Sequence, residues 1–114
     1  MTTRYKEADK VLIPRFPDAV RYKMWRQAVG EELIAASGRP DEAFLWVLES
    51  ESCDATYDNM AVSGNFLTLD MKLAAALSAL ATGEIGRQLS LRKQEEKKNG
   101  RMVKGRQLLW MIQE

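Results

Sequence analysis

Apolar side chains recur every three or four positions along most of this chain, and strict apolar–polar alternation is nearly absent. That spacing is the period of an α-helix, so the chain must bury helix faces and not sheet faces. Between Asp18 and Ser37, the residues Tyr22, Trp25, Val29, Leu33 and Ala36 share one face, while Arg21, Lys23, Arg26, Glu31 and Glu32 mostly fall elsewhere. Pro17 and Asp18 mark the start of this helix, and Ser37-Gly38 followed by Pro40 mark its end.

A second helix opens at Pro40-Asp41-Glu42. Proline suits a first helical turn, where its missing N–H loses no partner, and carboxylates favour the positive end of the helix dipole. The run from Ala43 to Glu49 is apolar nearly all round, which predicts the most buried helix. Such a short run also suits a buried strand; the proline–acid start favours the helix. Ser50–Asp54 reads as a turn, and a short helix over Ala55–Ser63 is expected, capped by Asp54 and ended by Gly64. Thr68–Ala81 is strongly amphipathic, with Leu69, Leu73, Ala76, Leu77 and Leu80 on one face and Ala74, Ala75 and Ala79 adding propensity. Gly83 interrupts it. Glu84–Lys98 carries Ile85 and Leu89 on one face and is otherwise charged, so it belongs on the surface. Asn99-Gly100 is a turn signal. A last helix over Arg101–Glu114 carries Met102, Leu108, Leu109 and Ile112, with Trp110 beside them. Its pattern is still running at Glu114, which predicts a domain continuing past that residue.

Upstream, Val11-Leu12-Ile13 precedes Pro14, and a residue before proline is pushed toward extended conformations. The expectation is therefore an all-α fold: a small bundle of five or six helices over residues 16–114, preceded by a short extended N-terminal arm, residues 1–15. Its expected core is Trp25, Val29, Leu33, Trp46, Leu73, Leu77, Leu80 and Leu109, with Trp110 as a third tryptophan anchor.

Residue types narrow the chemistry. The chain has 114 residues, the size of one small domain. It has no histidine, which excludes imidazole catalysis and histidine metal ligands. The lone Cys53 excludes an internal disulfide and a multi-cysteine zinc site. Glu49, Glu51 and Asp54 surround it in sequence and oppose a thiolate, so a half-buried small residue at a helix end is the better reading. The acid pairs Glu31-Glu32, Asp41-Glu42 and Glu95-Glu96 are adjacent on helices and diverge, so they do not imply an acid–base dyad. No nucleophile–base set can be assembled, and the expectation is a non-enzyme without cofactor, metal or small-molecule substrate. The most apolar stretch, Leu73–Ala81, has nine residues, against the roughly 20 a membrane span needs. No signal-peptide core is visible either, so a cytoplasmic protein with no membrane partner is expected.

Charge is segregated. Residues 31–70 hold nine acidic groups and one basic group, and residues 84–106 hold eight basic groups and three acidic ones. The near-neutral total of +1 thus hides an internal dipole able to steer copies of the chain head to tail. The basic residues Arg87, Arg92, Lys93, Lys97, Lys98, Arg101, Lys104 and Arg106 are the candidate nucleic-acid contacts, with RNA as the partner they would suit. Glu95 and Glu96 interrupt them and no aromatic lies among them to stack a base, so a solvated helix face is the plain alternative. Gly83-Glu84-Ile85-Gly86 formally matches a KH-domain loop, but Glu84 would repel phosphate and the strands of that fold are missing; a helix break is the simpler role.

Several strings carry a family likeness. Ile13-Pro14-Arg15-Phe16-Pro17, then Tyr22-Lys23-Met24-Trp25 with its helix to Ala36, then Trp46, resemble the start of the Gag-like capsid region of copia-type LTR retrotransposons. Leu73–Leu80 looks like the middle helix of that region, and Gly105–Ile112 is similar to its late leucine–tryptophan helix. Retrotransposon-derived reading frames of dinoflagellate algae carry similar strings. The likeness spans about residues 13–112 and implies a structural role: a capsid domain that self-associates around the element's RNA. It implies no catalytic residues, and it implies core positions at Trp25, Trp46, Leu77 and Trp110. The zinc knuckle, protease and polymerase of such elements have no motif in this chain.

Overall fold

A computed structural model of the chain describes residues 7–15 and 21–113. Five α-helices follow one another: α1 (Tyr22–Ala36), α2 (Pro40–Glu51), α3 (Leu67–Leu80), α4 (Gly83–Lys98) and α5 (Gly105–Gln113). Single turns of 3₁₀ helix at Asn59–Ala61 and Gly64–Phe66 bridge α2 to α3. Among the described residues there is no β-strand, so the fold is all-α as the periodicity predicts. The main pairings are α3 with α5 and α1 with α2, joined where α1 touches α3.

Of the expected inward stripe of α1, Trp25, Val29, Leu33 and Ala36 are buried and Tyr22 is half-buried. Arg26 joins them, against its expected place on the outer side. The proposed start at Pro17 and Asp18 lies outside the described residues. On α3 the inward residues are Leu69, Asp70, Leu73, Ala74 and Leu77. The stripe is rotated toward Asp70 and Ala74, so Ala76 and Leu80 are only half-buried, which corrects Leu80 as a core residue. Leu33, Leu69, Leu73, Leu77, Leu108 and Leu109 are fully buried and form the centre, each worth about 1.5–3 kcal/mol of transfer free energy. Trp110, expected in the core, is half-buried against Tyr57 at the edge, and its indole Nε1 donates to the Ala55 carbonyl at 3.1 Å.

Helix α2 overturns an expectation. It buries Ala43, Trp46, Val47 and Ser50, a regular stripe at steps of three and four. The large residues between them face out: Phe44 is 52% exposed, Leu45 63% and Leu48 43%. Its main helix neighbour is α1, and Phe44, Leu45 and Leu48 stay exposed beside that contact. The most inward segment is instead the first turn of α5, where every residue from Gly105 to Leu109 is buried.

That turn begins four residues later than the pattern predicted, at Gly105 and not Arg101, which leaves Met102 exposed in the preceding loop. The cause is a close approach. A Cβ on Gly105 would lie 2.4 Å from the Asp70 carbonyl oxygen and 2.6 Å from the Leu73 Cβ. Only glycine lets the two helix backbones meet there. The segment 55–63 forms no α-helix. Thr56 and not Asp54 organises it: the Asn59 N–H donates to Thr56 Oγ1 at 3.1 Å, and the Thr56 N–H donates to Asn59 Oδ1 at 2.7 Å. This reciprocal pair holds one 3₁₀ turn, and Gly64, at φ +60°, opens the next turn instead of ending the first.

Helix α4 stops as its sequence predicts. The Gly100 N–H donates to Lys97 O at 3.0 Å and the Arg101 N–H to Glu96 O at 2.9 Å, with Gly100 at φ +71°. This is the Schellman ending that a left-handed glycine permits. Residues 11–15 are neither helix nor strand, and the described part of the arm is docked on the bundle. Val11 is buried, Leu12 exposed and Ile13 half-buried. The Ala8 N–H donates to Ala36 O at 2.8 Å, Lys72 Nζ pairs with Glu7, and Trp25 Nε1 donates to Pro14 O at 2.9 Å.

Candidate functional site

Helix α5 starts on Lys104, whose side chain cannot accept a hydrogen bond from the free N–H groups of the first turn. Two other residues do so. Gln107 Oε1 accepts from the Lys104 N–H at 2.8 Å, one half of a capping box. Asp70 Oδ1, reaching across from α3, accepts from the Arg106 N–H at 2.8 Å, and its Oδ2 accepts from Ser63 Oγ at 2.6 Å. Asp70 is fully buried, and that burial pushes its carboxyl above the usual aspartate range, against the pull of the Ser63 hydroxyl and the Arg106 N–H.

Arg106 is 2% exposed. Its guanidinium donates to Trp46 O at 3.0 Å, Glu49 Oε1 at 2.9 Å and Val62 O at 2.5 Å, and lies 4.7 Å from the Trp46 ring centroid. The Trp46 ring packs on Phe66 at 5.2 Å, and Arg39 covers Phe66 at 4.4 Å. This stack ties α5 to α2 and to the 59–66 connection. Arg106 is thereby removed from the candidate nucleic-acid contacts: a guanidinium with that burial and those acceptors cannot reach a phosphate. A second buried cation, Arg26, donates to Ser50 Oγ, with Glu51 at 3.8 Å, beyond hydrogen-bond reach. Burial lowers the pKa of its guanidinium, with Glu51 opposing. Both clusters hold helices together: Arg106 joins α5 to α2, and Arg26 joins α1 to α2.

The remaining seven cations do not form one patch. Arg87 pairs with Glu84 at 2.7 Å and Lys98 with Glu95 at 4.0 Å, along α4 itself. Arg92 sits over the Tyr57 ring at 4.6 Å, and Lys104 Nζ donates to Ala61 O at 3.1 Å. Lys93, Lys97 and Arg101 do converge. They rim a groove of about 530 Å³ between α3 and the end of α4, floored by Met71, Ala74, Ala75, Met102 and Val103. Lys93 Nζ also donates to Ser78, and Arg101 Nε to Glu96 Oε2 at 2.9 Å.

The opposite chemistry stands on α2. Phe44, Leu45 and Leu48 form an apolar ridge carrying Asp41, Glu42 and Glu49, and Leu45 shares a cleft of about 350 Å³ with Val62. Leu45 and Val62 are 63% and 67% exposed, so this apolar surface is open among the described residues. No protein-family model matches the chain, and no curated protein or solved structure is significantly similar to it.

Among the described residues no cluster of three or more acidic or cysteine side chains is placed to hold a metal. Cys53 is exposed, with Asp54 Oδ1 at 4.0 Å. Glu31, Glu32, Asp41 and Glu42 point to solvent, while Glu96 is buried beside Arg101, which holds its carboxyl below the usual range. Among the described residues no helix is long and apolar enough to cross a membrane. Sequence reasoning missed Asp70 and the outward ridge. Asp70 was visible in principle, because it falls in the stripe with Leu73 and Leu77, where a carboxylate demands a partner. The ridge carried no such signal, since inward and outward residues of α2 are equally apolar.

Proposed function

We propose that this chain is a non-catalytic self-association domain, the role that its resemblance to Gag-like capsid regions implies. The observation that carries the reading is the α2 ridge: Phe44, Leu45 and Leu48 are exposed on a helix whose other face is well packed. Exposed apolar side chains grouped on one element are costly to leave in water and gain by covering. The segregated charges support the same reading, because acidic and basic regions of one chain attract each other between copies. The nucleic-acid reading has less support, since five of its eight cations already face acceptors or rings of their own chain away from the groove.

Sedimentation velocity and light scattering over a concentration series test the proposal. The weight-average mass should rise with concentration above the monomer mass of 13.0 kDa. A mass that stays at the monomer value up to millimolar protein overturns it.

A further inference from the structure

We propose that the α2 ridge of one copy docks into the α3–α4 groove of a second copy, a contact between two different surfaces that can repeat from molecule to molecule. The inference rests on the self-association reading and adds which surfaces meet.

The match is chemical and geometric. The ridge offers Phe44, Leu45 and Leu48 flanked by Asp41 and Glu49. The groove is concave, about 530 Å³, and offers a floor that includes Met71, Ala75 and Met102 beneath Lys93, Lys97 and Arg101. Small alanines keep the α3 surface open, and methionines adapt to the shape they receive. Among the described residues Asp41 and Lys97 are exposed and hold no ion pair, so each is free to find the other. Symmetric pairings fit worse. Ridge against ridge would set acids on acids, and groove against groove would set lysines on lysines, and like charges at close range disfavour a contact. A contact between unlike surfaces closes into a ring or grows into a filament, whereas a symmetric one stops at a dimer.

Two blocked variants test this. Leu45→Lys with Leu48→Lys spoils the ridge; Lys97→Glu with Met102→Glu spoils the groove. All four residues are exposed, so the helical circular dichroism should be unchanged. Each variant alone should lose assembly, with association weakened at least about tenfold. Their mixture should form a capped 1:1 dimer, because one variant keeps an intact ridge and the other an intact groove. No dimer in the mixture, or assembly unchanged in either variant, overturns the pairing while leaving self-association standing. A wild-type chain that stays monomeric removes the self-association reading itself. If a double variant fails to fold, Asp41→Lys and Lys97→Glu replace it as single charge reversals. Each should weaken assembly and the chain carrying both should regain it, since opposite charges meet again; no recovery overturns the pairing.

Discussion

Asp70 is where one side chain governs the most structure. It caps α5 from α3, takes the Ser63 hydroxyl, and is fully buried behind Gly105. Replacing it with alanine leaves the Arg106 N–H and the Ser63 hydroxyl without their acceptor, and urea denaturation should show a loss of about 2–3 kcal/mol. Asp70→Asn keeps an acceptor oxygen and should cost less. Burial raises the Asp70 pKa, so the folded chain holds that proton more tightly than the unfolded chain does. Between the unfolded value near 4 and the raised folded value, the folded state binds more protons. Its contribution to stability is therefore full below the unfolded value, falls as pH rises through this interval, and is level above it. Subtracting the stability–pH curve of Asp70→Asn from that of the wild type isolates this fall; a flat difference counts against the assignment. At Gly105 the limit is space. A Cβ there would press on the Asp70 backbone and on Leu73. Gly105→Ala should cost about 1–3 kcal/mol, read as a lowered denaturation midpoint with an unchanged slope.

At the level of the helix, endings and faces were legible to different degrees. The α4 terminus could be read from Asn99-Gly100, because the left-handed residue of a Schellman ending is a local requirement. Gly100→Ala should lower stability by about 1 kcal/mol, and a thermal melt reads it directly. The α2 faces could not be read, because periodicity separates apolar from polar and α2 offers little contrast. Burial chose Ala43, Trp46, Val47 and Ser50, small or flat residues that let α1 approach. A matched pair of substitutions checks that choice. Leu45→Lys should change stability by less than about 0.5 kcal/mol, while Val47→Lys buries an unpaired charge and should unfold the chain. The start of α5 was misplaced for a related reason. Met102 suits the helical pattern, but the Gly105 contact and the Gln107 cap fix the first turn four residues on.

Across the whole molecule the organising fact is the separation of charge along the chain. Acidic residues 31–70 include the α2 ridge, and basic residues 84–106 include the groove rim, so two complementary surfaces belong to one folded unit. Attraction between such surfaces is screened over about 10 Å at moderate salt and over much less at high salt. If copies associate through ridge and groove as proposed, assembly should weaken when ionic strength is raised from about 0.05 to about 0.5 M, without disappearing, because salt does not screen the apolar part of such a contact. Light scattering at fixed protein concentration measures this. Assembly unmoved by salt would show that charge plays no part.

The all-helical class, the order of the helices, the α4 ending and most of the core were written in the chain itself, at Trp25, Val29, Leu33, Leu73, Leu77 and Leu109. Each follows from rules that act over one or two helical turns. Folding in three dimensions settled the rest. It carried Arg106 into the interior beside Trp46, gave α5 a cap from α3, split the basic residues between a groove and several ion pairs, and left Phe44, Leu45 and Leu48 uncovered. Those outcomes depend on which helix lies next to which, and residues 36 or 60 positions apart in sequence carry no local mark of meeting.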